Sequence, residues 1–149
     1  MSSHPLIDAL QSNPDQPAGH NGWTIEADQA KTGPIGIQTD ALRLRRQTPS
    51  AASAPNLARK VAKRATYLLE PLKLVEGEQQ KALLRSDEPR AKGNTREYYE
   101  VWVTPNDLSV QRYHSKRGER RQSRPVNLTW EQAGRFVRDV EQAYETESE

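Results

Sequence analysis

Residues 97–114 read Glu-Tyr-Tyr-Glu-Val-Trp-Val-Thr-Pro-Asn-Asp-Leu-Ser-Val-Gln-Arg-Tyr-His. Two runs of β-branched and aromatic residues flank a Pro-Asn-Asp segment, the pattern of a β-hairpin. Side chains alternate along a strand. Tyr99, Val101, Val103, Leu108 and Val110 therefore share one face, and Tyr98, Glu100, Trp102, Gln111 and Tyr113 share the other. Any even-length loop around Pro105 and Asn106 keeps the faces apart, whereas a one-residue slip mixes them. Proline holds φ near about −65°, which primed two-residue turns do not allow at Pro105. A type I turn across Thr104–Asp107 within a slightly longer loop fits instead.

The Val-Leu face predicts core. The other face has two readings. Tyr98, Glu100, Trp102 and Tyr113 can form an aromatic platform for a peptide strand, a base or a small ligand. Alternatively they are cross-strand pairs that stabilise the sheet, or lie beneath residues 23–46.

Working outward, Trp130, Ala133, Val137, Val140 and Tyr144 form the apolar stripe of a helix over 129–144. Thr129 followed by Gln132 is a capping box at its start. Leu57, Val61, Ala65 and Leu68 make a second stripe, predicting a helix over 56–69 that Pro71 ends. Leu72–Glu76 and Lys81–Ser86 suggest another hairpin through Gly77.

Nearer the N-terminus, Trp23, Ile25 and Ala27 alternate, as do Ile35 with Ile37 and Leu42 with Leu44. The last two pairs have opposite parity, so a bulge or break is expected near Thr39-Asp40. Residues 1–21 read by composition as a flexible arm with a short apolar cluster at Leu6, Ile7 and Leu10 and room for one helical turn. Residues 47–55 read as a polar linker, 87–96 and 115–127 as loops, and 147–149 as a frayed acidic tail. The expected architecture is one α+β domain over 22–146. In it, an antiparallel sheet of four to six strands carries helices 56–69 and 129–144 on one face, in the order ββαββββα.

Composition narrows the functional classes. Apolar residues are 34 % of the 149. With the eight glycines they reach about 39 %, below the roughly 45–50 % of ordinary globular chains. Cysteine is absent, which excludes disulfides, thiolate zinc ligands and a cysteine nucleophile. The N-terminal residues lack a basic segment followed by an apolar run, and no stretch reaches the roughly 20 apolar residues of a membrane helix. A soluble cytoplasmic protein with no membrane partner is the resulting expectation.

The histidines at 4, 20 and 114 have no zinc-site spacing. Phosphate-binding glycine motifs and the Gly-x-Ser-x-Gly nucleophile turn are absent too. These readings imply no catalytic residue, no cofactor and no metal. A small enzyme using scattered carboxylates, with Glu97 and Glu100 beside the tyrosines, is the least favoured reading.

Net charge is +2, but it is unevenly placed. Lys116, Arg117, Arg120, Arg121 and Arg124 make a basic loop, and Arg59, Lys60, Lys63 and Arg64 make a basic strip on the first predicted helix. If the two converge they form a positive groove for nucleic acid. If not, they are solvated charge. Helix, strands and helix over 56–144 invite comparison with double-stranded-RNA-binding domains. Four strands are read rather than three, however, and the second helix opens Thr-Trp-Glu-Gln rather than with lysines. The leading expectation is thus a non-enzymatic binding or adaptor module for a protein or peptide, with nucleic-acid binding as the alternative.

Overall fold

A computed structural model describes residues 4–66, 71–86, 90–92 and 95–145. The hairpin lies at the centre of it. Its arms are β9 (Thr95–Val103) and β10 (Asp107–Lys116), paired antiparallel with Val101 opposite Val110 and Val103 opposite Leu108. The register is even, so the two faces remain chemically distinct. Tyr99, Val101, Val103, Leu108 and Val110 are all buried.

The turn is closed by one side chain. Thr104 N–H donates to the Asp107 carbonyl at 2.9 Å, and its hydroxyl accepts from Asp107 N–H at 3.0 Å while donating to the Asp107 carboxylate at 2.8 Å.

Around this hairpin the chain adds β1 (Ala18–His20), β2 (Trp23–Asp28), β5 (Ala41–Arg46), β6 (Leu72–Glu78) and β7 (Lys81–Ser86), in the order β1-β2-β5-β10-β9-β7-β6. Every pairing is antiparallel. The arms run past β5 and β7. Their far ends are flanked by β8 (Arg90–Lys92) on β9 and β11 (Gln122–Arg124) on β10. This makes a nine-stranded sheet. A second, three-stranded sheet holds β3 (Lys31–Thr32), β4 (Gly36–Thr39) and β12 (Val126–Thr129). Gly36 is required there, because a Cβ would run into the Leu128 carbonyl of the neighbouring strand.

Helices α1 (Pro5–Ser12), α2 (Ala54–Arg64) and α3 (Trp130–Glu145) cover one face of the large sheet. Leu6 and Leu10 of α1, Leu57 and Val61 of α2, and Phe136 and Val140 of α3 join one core with Ile25, Leu42, Leu84 and Val101. The capping box of α3 forms in both directions at 3.0 Å, Thr129 N–H to Gln132 and Gln132 N–H to Thr129. Helix α2 starts at Ala54, because Ser53 caps it and Pro55 fits the first turn. The helix predicted over 56–69 ends at Arg64, where Ala65 leaves helical geometry and its N–H closes onto the Val61 carbonyl. Residues 67–69 and the tail 147–149 lie outside the described residues.

The expected sheet of four to six strands with two helices is corrected, among the described residues, to twelve strands in two sheets with three helices. Among the added strands, β1, β3, β8 and β11 are two or three residues long and have little apolar pattern of their own; their partners fix them. They occupy stretches that read as loops, β8 within 87–96 and β11 within 115–127. The parity conflict at 35–44 is settled by a change of sheet instead of a bulge. The chain leaves the small sheet at Thr39 and enters the large one at Ala41, with the Thr39 hydroxyl donating to the Asp28 carbonyl at 2.6 Å. Residues 4–21, read as a flexible arm, contain α1, whose Leu6, Ile7 and Leu10 are buried against the core. His4 caps α1 by accepting from Leu6 N–H at 3.0 Å, and its other ring nitrogen reaches Glu141 of α3 at 2.7 Å.

Tyr144 links α3 to the hairpin turn. Its hydroxyl donates to the carbonyls of Thr104 and Asp107, both at 2.8 Å, and its ring meets Trp23 edge-on at 5.3 Å. Burial first, then the Asp107 carboxylate, holds the phenol well above its ordinary pKa, so it stays a donor. Tyr144→Phe should leave the fold intact and lower the unfolding free energy by about 1–2 kcal/mol. Urea denaturation reads this as a lower midpoint at an unchanged m-value. A midpoint equal to that of the parent would remove the hydroxyl from the account.

Candidate functional site

All three helices take one face of the large sheet, so among the described residues the other carries none. That outer face is built by alternation. Tyr98, Glu100 and Trp102 on β9 lie opposite Tyr113, Gln111 and Ser109 on β10, and Leu83 and Arg85 on β7 lie opposite Trp102 and Glu100. Residues 23–28 and 41–46, considered above as a cover, extend the sheet sideways as β2 and β5. The rings of Tyr98, Trp102 and Tyr113 are half-buried.

Glu100 is different. It is 1 % exposed, although it points to the helix-free side. Oε2 accepts from Arg85 Nε at 3.0 Å, Arg85 Nη2 at 2.7 Å and Arg121 Nη1 at 2.8 Å. Oε1 is buried with no hydrogen-bond partner among the described residues. The arginines themselves remain open, with 41 % and 43 % of their side chains exposed.

Aromatic rings support both of them. The Arg121 guanidinium lies 3.8 Å from the Tyr113 ring centre, and that of Arg85 5.5 Å from the Tyr98 ring. Tyr98 and Tyr113 lie 6.0 Å apart and tilted by 35°. Burial works against the charge on Arg121, but hydrogen bonds to Tyr98 and Glu100 and the nearby carboxylate outweigh it, so its pKa is raised. Lys81 completes the row, with its ammonium 4.5 Å from the Trp102 ring.

The four aromatic and acidic candidates, Tyr98, Glu100, Trp102 and Tyr113, thus come together, and Arg121 of the basic loop joins them. The remaining basic candidates do not converge. Arg59, Lys60, Lys63 and Arg64 lie on α2, across the sheet, where Arg59 bonds Asn56 and Arg64 bonds Gln142. Lys116 approaches Glu119 at 3.9 Å, and Arg117 and Arg120 are exposed in the loop. Arg124 sits on β11 opposite Arg112.

Sequence reasoning missed Arg85 and Lys81. Only the β7–β9 register, which pairs Arg85 with Glu100, reveals them. His114 pairs with Glu97 on the face of Tyr99, so it does not share a site with Tyr98 and Glu100. Farther along the outer face, a groove of about 360 Å³ lies between Thr24, Glu26, Arg43, Arg45, Asp107 and Ser109. No group of three or more potential ligand residues is placed to hold a metal ion among the described residues. No helix among them is long and apolar enough to cross a membrane.

Compared with known proteins, the chain matches no family model, no curated protein and no solved structure.

If the outer face is not part of the core, truncating its largest ring is tolerated. Trp102→Ala should stay folded and lose no more than about 2 kcal/mol of stability in urea denaturation. A loss of about 4 kcal/mol, the scale of a core aromatic deletion, would make Trp102 structural.

Proposed function

We propose that the protein is a non-enzymatic binding module that engages a polypeptide partner through the outer face of the β9–β10 hairpin. The observation that carries this reading is the burial of Glu100 on a face without helices, where it holds two exposed arginines beside Tyr98, Tyr113 and Trp102. For stability alone the arrangement is poor. A buried carboxylate loses hydration, and the unpaired Oε1 adds a cost of order 1–3 kcal/mol that an apolar side chain would avoid. For binding it is useful. Tyrosine, tryptophan and arginine dominate interface energetics, and side chains already held in place lose less entropy on association.

Nucleic-acid binding has less support, since the two basic groups lie on opposite faces of the sheet. An acid–base site is supported less still, because Glu100 and His114 do not share a face.

Photo-crosslinking in the native host tests the reading. A benzophenone side chain replacing Trp102 should give discrete adducts with a polypeptide, while the same group replacing Lys63 on α2 should give none of those species. Identical adducts from both positions, or adducts with nucleic acid alone, would overturn the proposal.

A further inference from the structure

The outer face around the aromatic cluster is unbalanced in charge. Lys81, Arg85 and Arg121 surround the rings, and Arg96 follows on the same face by alternation, two residues before Tyr98. On the edge strand β6, Glu78 stands opposite Lys81 and Glu76 opposite Leu83, so Lys81 has an acid facing it. Amid the rings of Tyr98 and Tyr113 the acid is Glu100, which is withdrawn from the surface. Arg85 and Arg121 both bond the same oxygen of that carboxylate, which brings two like charges side by side. One negative charge cancels one of them, so the trio keeps a net positive charge directed outward.

The donor inventory points the same way. A guanidinium carries five N–H groups. Among the described residues, Arg85 commits Nε and one Nη2 hydrogen to Glu100, and Arg121 its Nη1 group, to Glu100 at 2.8 Å and Tyr98 at 3.5 Å. The remaining donors belong to side chains more than two-fifths exposed. Planar forks held rigid in this way match a carboxylate in geometry as well as charge.

Resting on the polypeptide-binding reading above, we infer that Arg85 and Arg121 form a clamp for a carboxylate side chain of an acidic polypeptide. Charge complementarity selects this partner. A single-stranded nucleic acid would need the rings for stacking, but cations already lie 3.8 Å from the Tyr113 ring centre and 4.5 Å from that of Trp102. The cations of α2 that could extend a phosphate track lie across the sheet.

The test follows arginine Nε–Hε and tryptophan indole cross-peaks of the ¹⁵N-labelled full chain by NMR. Three probes are titrated: a blocked heptapeptide of aspartate and glutamate around one tryptophan, its asparagine–glutamine counterpart, and a short oligothymidylate. The acidic peptide should shift the Arg85, Arg121 and Trp102 signals, and its neutral counterpart should bind about tenfold more weakly. Arg121→Gln should weaken the acidic peptide about tenfold. The Val101 and Val103 amides should keep their native positions, reporting an intact fold.

Equal binding of the neutral peptide, shifts confined to α2, or no response to the acidic peptide would overturn the clamp. If the crosslinking experiment still yields a polypeptide, the clamp fails alone and the broader reading stands. Stronger shifts of the same signals by oligothymidylate would overturn both.

Discussion

The even register of the β9–β10 hairpin is the constraint from which the other features follow. Side chains alternate with a period of two, so a slip of one residue would exchange Val101 and Val110 for Glu100 and Gln111 in the core. The register is held at the turn, where Thr104 closes the loop onto Asp107 from within and Tyr144 binds both carbonyls from α3. The turn is also tied from the side, through Arg46 N–H to the Asn106 carbonyl and Ser50 N–H to the Pro105 carbonyl. The tightest part of the hairpin is thus fixed by the chain before it and by the last helix after it. Helix, turn and sheet confirm one another, which is what a funnelled landscape requires.

The sequence disclosed what is local. Both hairpin faces, the capping box at Thr129 and Gln132, and the Leu57–Val61 part of the α2 stripe are written in residues a few positions apart, and the structure contains each of them. Features set by distant partners were not legible. Lys31–Thr32 and Arg90–Lys92 become strands only because β4 and β9 supply partners. In α1, Leu6, Ile7 and Leu10 look like an isolated cluster in a polar segment, yet they meet α3 and β2 in space. The opposite parities of Ile37 and Leu42 marked a discontinuity correctly. That it is a change of sheet depends on pairing with β12, some ninety residues later. For the candidate site the same division applies. Tyr98, Glu100, Trp102 and Tyr113 were visible as one face, whereas Arg85 required the register of β7 on β9 and Arg121 the path of a loop.

The two faces of the sheet answer to different demands. On the inner face, three helices bury an apolar surface, and the Tyr144 hydroxyl there meets the turn carbonyls. On the outer face a carboxylate is buried close to Leu83 and the half-buried rings, and one of its oxygens has no hydrogen-bond partner among the described residues. Exposed surface pairs contribute little to stability and buried ones often less than nothing. The Arg85–Glu100–Arg121 trio is better understood as a positioning device. It fixes two long side chains that would otherwise sample many rotamers, beside rings that are half-open to solvent.

Everything said of function depends on that outer face being open in solution. Relaxation of indole protons by a soluble gadolinium chelate tests this directly without altering the protein, since Trp23 and Trp102 occupy opposite faces of one sheet. The Trp102 Nε1–H should be strongly relaxed and the Trp23 Nε1–H, on a ring that is 1 % exposed and bonded to Glu145 at 3.0 Å, should be protected. A Trp102 signal as protected as that of Trp23 would mean the face is covered, and the account of a partner-binding surface would be contradicted.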